Sequence, residues 1–148
     1  MAPAATREAG RVPGRQARRF SSASFGLVIL LIIQYVLGIA YTLYGTMPTA
    51  GKQVGLFSSP LLAVHVIVGT LLVLAAIYLV IAAVRARIRL AVIMSVIGLL
   101  SILAAWVTGS AFAQKGASGF SMAMGVMTAV ALLCYMVNVR VLGRHGDT

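Results

Sequence analysis

Polar and apolar positions in this chain segregate into long blocks instead of alternating at the short periods of soluble helices or strands. Four runs, at about 25–43, 61–84, 90–112 and 120–139, contain no Lys, Arg, Asp or Glu. Each is close to twenty residues, the length at which a helix crosses about 30 Å of hydrocarbon. In lipid, backbone groups find no water and must be satisfied within the segment, which selects helices despite the many β-branched residues. The pattern predicts an all-α fold, a four-transmembrane-helix bundle. Composition agrees: 61% of residues are hydrophobic, 9% are charged and the mean hydropathy is +1.02, values outside the soluble globular class.

The polar segments between the runs carry a directional signal. Arg7, Arg11, Arg15, Arg18 and Arg19 precede the first run, Arg85, Arg87 and Arg89 separate the second from the third, and Arg140 and Arg144 follow the fourth. Only Lys52 and Lys115 fall on the opposite side. Cationic loops stay in the cytoplasm, so both termini are expected there, in a bacterial inner membrane. Residues 1–24 read as a disordered basic cytoplasmic tail and 142–148 as a second, short one. Arg18-Arg19-Phe20 faintly resembles a twin-arginine signal, with Gly38-Ile39-Ala40 as a cleavage site that would leave three spans. The later charges fit a retained first helix better. The net charge of +10 is then accounted for by topology and by contact with anionic lipid headgroups. Nothing in the basic tail, neither aromatic interleaving nor a motif, points to nucleic acid. The single cysteine, Cys134, has no partner for a disulfide or a redox pair.

Within the four runs a twofold repeat is visible. A shift of about seventy residues aligns Tyr35 with Trp106, Gly38 with Gly109, Ala40 with Ala111 and Gly45 with Gly116. A smaller shift aligns Tyr78 with Tyr135 and places Met122 opposite His65. The chain therefore reads as two parallel helical-hairpin repeats with an insertion at about 46–60. Small residues at Gly69, Ala76 and Ala83, at Ser95, Gly98, Ala105 and Gly109, and at Gly125 and Ala129 are expected to be the faces where helices approach.

Chemistry concentrates on His65, the only histidine inside the four runs. An ionisable side chain within a span is costly and by default a functional candidate. Ser58 or Ser59 followed by Pro60 starts the second helix cleanly, which places His65 about 7 Å below the outer interface by helical rise. Gly69, one turn on, is expected to leave room beside the imidazole. Met122, Met124 and Gly125 open the fourth span at the same depth. Histidine and methionine on facing helices are the donor pair of an axially ligated haem iron, with Gly69 and Gly125 supplying flat, side-chain-free space. On this reading His65 and Met122 are the metal ligands, Met124 the alternative sulfur, and Gln34 a group facing a bound quinone or a porphyrin substituent.

Gln34-Tyr35-Val36-Leu37-Gly38-Ile39-Ala40, then Pro48, then Leu61 to Leu72 with His65 and Gly69, resembles a hairpin of the haem A synthase family. The resemblance covers the first two spans and implies a haem-ligating role for His65 by position. That family is about twice as long, pairs histidines across helices and uses acidic residues in outer loops. The second hairpin here has no histidine and the outer loops no Asp or Glu, so the resemblance does not extend to synthase catalysis.

Three roles stay open for His65: axial ligand of haem b in a small electron-transfer or haem-handling bundle, a hydrogen-bonding helix contact with Thr108, Ser110 or Tyr41, or proton handling. Met122, Met124 and Met127 also suit adaptable packing, and Gln34 an interhelical hydrogen bond. A haem-free accessory subunit docking a larger membrane complex, a homo-oligomer, and a small oligomeric transporter are the remaining classes. No catalytic triad, phosphate loop or zinc pattern is present, and the only acids are Glu8 and Asp147.

Overall fold

The computed structural model describes residues 14–45, 55 and 57–146, with side chains from 19 to 141. Four helices account for nearly all of it: α1 (Gly14–Tyr44), α2 (Pro60–Ala86), α3 (Arg89–Lys115) and α4 (Ser118–Gly146). All four are long and apolar enough to cross a membrane. The shortest, at 27 residues, is about 40 Å long by helical rise.

Local chemistry fixes where the helices begin and end. Ser59 caps α2, its hydroxyl accepting the Leu62 amide at 3.2 Å, and Pro60 occupies the first turn. The α2–α3 turn closes through Arg87 in the left-handed conformation (φ 55°). The α3–α4 turn closes through Gly116 at φ 68°, where the absence of a Cβ removes the cost of that conformation. Helix α1 starts at Gly14, so the expected tail to residue 24 is helical from Gly14 on, while its residues 1–13 lie outside the described residues. Arg, Gln and Ala between 14 and 19 sustain the helix, and Phe20 and Ser24 are already buried. At the other terminus α4 continues through Gly146, so the expected tail from 142 is helical as far as that residue.

Neighbouring helices run antiparallel in a ring: α1 against α2, α2 against α3, α3 against α4, and α4 back against α1. Among the described residues, the diagonal pairs α1/α3 and α2/α4 make no close approach. The centre is filled by Leu27, Leu31, Leu72, Ala76, Leu79, Ile102, Ala131 and Tyr135. Large apolar side chains such as Ile29, Ile67, Leu74, Leu100 and Leu133 point outward, as lipid-facing positions do. Hydroxyls on the helices mostly bond back to their own backbone: Thr42 to the Gly38 carbonyl, Thr70 to Val66, Thr108 to Ala104, Ser110 to Trp106 and Thr128 to Met124. Such bonds satisfy a hydroxyl in lipid without a second helix.

Burial sharpens the repeat. The shift that aligns Gly38 with Gly109 also pairs buried positions of α1 and α3: Phe20 with Ala91, Ser24 with Ser95, Leu27 with Gly98, and Leu31 with Ile102. For α2 and α4 the buried pairs are Gly69 with Thr128, Leu72 with Ala131, Ala76 with Tyr135, and Leu79 with Asn138. This register lies two residues beyond the one that matches the two tyrosines. Tyr78 is 63% exposed and Tyr135 fully buried, so aromatic identity misled where burial does not. Of the small-residue faces, Gly69, Ala76, Ala83, Ser95 and Gly98 are buried as expected. On α4 the packed face is instead Thr128, Ala131, Cys134, Tyr135 and Asn138. A Cβ on Gly125 would meet nothing within 4 Å, and Ala129 is exposed.

Candidate functional site

Between the diagonal helices, toward the end where α1 stops and α2 starts, the bundle opens into a cavity of about 550 Å³. Its walls come from all four helices and are mainly apolar, including Leu31, Leu72, Ile102, Trp106 and Phe112. Gln34, His65, Gly69, Met122, Met124 and Gly125, the six residues singled out from sequence, all line it. The size falls within the range of small-molecule pockets, about 300–1,000 Å³.

Inside the cavity the polar chemistry is concentrated on one side. The Gln34 amide nitrogen donates to the His65 carbonyl at 3.0 Å and lies 3.1 Å from His65 Nε2. Turning the amide over would set its oxygen against that carbonyl, so the nitrogen belongs there. Its two hydrogens then meet two acceptors, and Nε2 is the acceptor nitrogen of the neutral ring. The ring proton therefore sits on Nδ1. Among the described residues neither Nδ1 nor Gln34 Oε1 has a partner, and both are buried. The site thus holds one unsatisfied donor and one unsatisfied acceptor, on adjoining side chains.

Glycines create this arrangement. A Cβ at Gly69 would come within 3.0 Å of the Gln34 amide nitrogen, and one at Gly38 would lie 3.4 Å from His65 Cε1. The space expected beside Gly69 for a bulky group is therefore taken by Gln34, while Gly38 on α1 clears room for the imidazole. The His65 partner is Gln34 on the neighbouring helix, whereas Thr108 and Ser110 donate to the Ala104 and Trp106 carbonyls of their own helix.

Across the cavity, the second repeat does the same with different chemistry. A Cβ at Gly109 would lie 3.0 Å from Met124 Sδ, so Gly109 serves Met124 as Gly38 serves His65. In the burial register Met124 is the counterpart of His65, and Ala105 the counterpart of Gln34. Met122, the sulfur first paired with His65, is 75% exposed. Gly125 leaves open space on the cavity wall.

A second polar cluster lies farther along the bundle and was legible only as a stripe of small residues. Asn138 Nδ2 donates to Ser95 Oγ at 3.0 Å, and the Tyr135 hydroxyl points to the Ser95 carbonyl at 3.5 Å. All three residues are fully buried. Ser24, the repeat partner of Ser95, is equally buried, but its hydroxyl has no partner among the described residues. The repeat explains why: the position equivalent to Asn138 is Leu79.

These features define an integral membrane protein of the four-helix-bundle class with a ligand-sized cavity asymmetric in polarity. No family model matches the chain, and neither a curated protein nor a solved structure matches it significantly. The site is accordingly read from its own geometry.

Proposed function

We propose that the protein binds a lipophilic small molecule within the membrane, in the cavity between α2 and α4. The observation that supports this reading is the combination of volume and lining: about 550 Å³ of mainly apolar space with one unsatisfied polar pair in its wall. With cationic segments in the cytoplasm, the cavity lies in the outer half of the bilayer and is reached from lipid or from outside.

Trp106, the only tryptophan in the chain, lines the cavity and reports on it directly. Titrating the protein in nanodiscs with a hydroxyl-free aromatic probe such as naphthalene is expected to change Trp106 emission saturably. A Cβ at Gly125 meets nothing within 4 Å, so Gly125→Leu extends from open space on the cavity wall and is expected to abolish the response in a folded protein. A linear, unsaturable response in the wild type would remove the proposal.

Haem b is the second reading, favoured by His65 and Met124 occupying repeat-equivalent positions on diagonal helices. As arranged, however, the imidazole offers no free lone pair: Nε2 receives the Gln34 amide and Nδ1 carries the proton. Haem ligation by His65 requires the Gln34 amide to withdraw from Nε2. When bound, haem supplies one-electron redox chemistry. A reduced-minus-oxidised absorption spectrum of protein purified after haem supplementation decides between the readings. A Soret band lost in His65→Ala selects haem, and a featureless spectrum removes it.

A further inference from the structure

Resting on the reading of the cavity as a lipophilic site, we infer that its ligand is recognised by a ring-borne hydroxyl group, as in a phenol or quinol, held between Gln34 and His65. The inference starts from the two atoms left without partners, Gln34 Oε1 and His65 Nδ1. One is an acceptor and the other, by the tautomer that the Gln34 amide imposes, a donor. A hydroxyl oxygen satisfies both at once, because it donates one hydrogen and accepts another. A ketone, ether or ester can only accept, and would leave Gln34 Oε1 unsatisfied. Among the described residues no Lys, Arg, Asp or Glu lines the cavity, so none of them offers a charged headgroup an opposite charge.

The remainder of the lining fits a ring. Trp106, Tyr35 and Phe112 present aromatic surface, and the Gly125 wall is open. Both unsatisfied atoms are buried, and both of their residues line the cavity. A hydroxyl engages them through a small adjustment of the two side chains, the terminal torsion of Gln34 being soft, that keeps the amide nitrogen on the His65 carbonyl and Nε2. The second repeat cannot offer the same contact, because Ala105 and Met124 stand where Gln34 and His65 do. The hydroxyl is therefore directed to the α1–α2 side of the cavity.

The test compares three probes of matched shape against Trp106 emission in nanodiscs: a short-tailed benzoquinol, its quinone, and the dimethyl ether of the quinol. An orphaned buried acceptor costs about 1–3 kcal/mol, so the quinol should bind about 5- to 150-fold more tightly than the ether, with the quinone also weaker. Gln34→Leu should bring the quinol down to the ether's affinity while leaving the ether unchanged. If that variant fails to fold, the comparison of probes on the wild type carries the test alone. Equal, saturable binding of all three probes would overturn the hydroxyl inference and leave the lipophilic cavity standing. Absence of saturable binding by any probe, naphthalene included, would overturn both.

Discussion

At the scale of single residues, membrane burial makes each polar atom informative, because the lipid interior provides no water to satisfy it. Gln34 illustrates the point. Its amide bridges the backbone and the ring of His65, so it both pins the imidazole and occupies its lone pair. Gln34→Leu is expected to expose that lone pair, and carbethoxylation of His65, followed by peptide mass spectrometry, should accelerate severalfold over wild type. His145 in the same digest serves as the internal standard; an unchanged ratio would mean that Gln34 does not mask the ring. Ser24 makes a complementary case. Its hydroxyl has no partner among the described residues, and the repeat position where the other hairpin has Asn138 is held by Leu79. Leu79→Asn should therefore be tolerated better than Leu72→Asn, which has no such hydroxyl waiting. The expected gap in unfolding free energy is about 1 kcal/mol or more, given interhelical hydrogen bonds near 0.6 kcal/mol and a penalty of about 1–3 kcal/mol for an orphaned amide. Steric trapping or thermal unfolding in detergent measures it.

Between helices, glycine serves different purposes at different sites, and substitution separates them. A Cβ at Gly98 would approach the Tyr135 ring to 2.7 Å, and Tyr135 is fully buried with no room to yield. Gly98→Ala is expected to cost about 1–3 kcal/mol through overpacking, whereas Gly125→Ala should be close to neutral. If both variants melt alike, the α3–α4 packing is not as described. The four helices were legible in sequence because a charge-free run of about twenty residues admits few other structures. Their junctions were partly legible: Ser59 and Pro60 announced the start of α2, while the helical stretch from Gly14 was hidden behind its arginines. The repeat was visible through Gly38 and Gly109, but its register in the second hairpin was not. Tyrosine identity is a property of one residue, whereas register is set by which face each helix buries.

For the molecule as a whole, the lining of the cavity was more legible than its internal contacts. All six residues chosen from sequence line it, because a lone histidine, mid-span glutamine and facing methionines are each rare enough in lipid to draw attention. What could not be read was which neighbour each would meet. The contact between Gln34 and His65 joins two helices through a loop, and Gly69 was assigned a vacancy that Gln34 fills. The orientation of the bundle is a prediction at this scale. In a Cys134→Ala background, a cysteine placed at Ser118, the first residue of α4, and one at Arg87, in the α2–α3 turn, lie at opposite ends of the bundle. A membrane-impermeant maleimide added to intact spheroplasts should label the first and spare the second until the cells are opened. Labelling in the reverse order would place the cavity toward the cytoplasm.

The correspondence between the hairpins, Gly38 with Gly109 and His65 with Met124, has a consequence for how anything bound would sit. Two identical halves would offer a guest two poses related by the pseudo-twofold axis, equal in energy and populated equally. With hydrogen-bonding groups on one wall and a thioether on the other, that degeneracy is lifted. A labelled ligand should accordingly give one set of resonances in solid-state spectra instead of a doubled set. Grafting the pair across the axis, as Ala105→Gln and Met124→His together with Thr128→Gly at the counterpart of Gly69, should bring the second pose back.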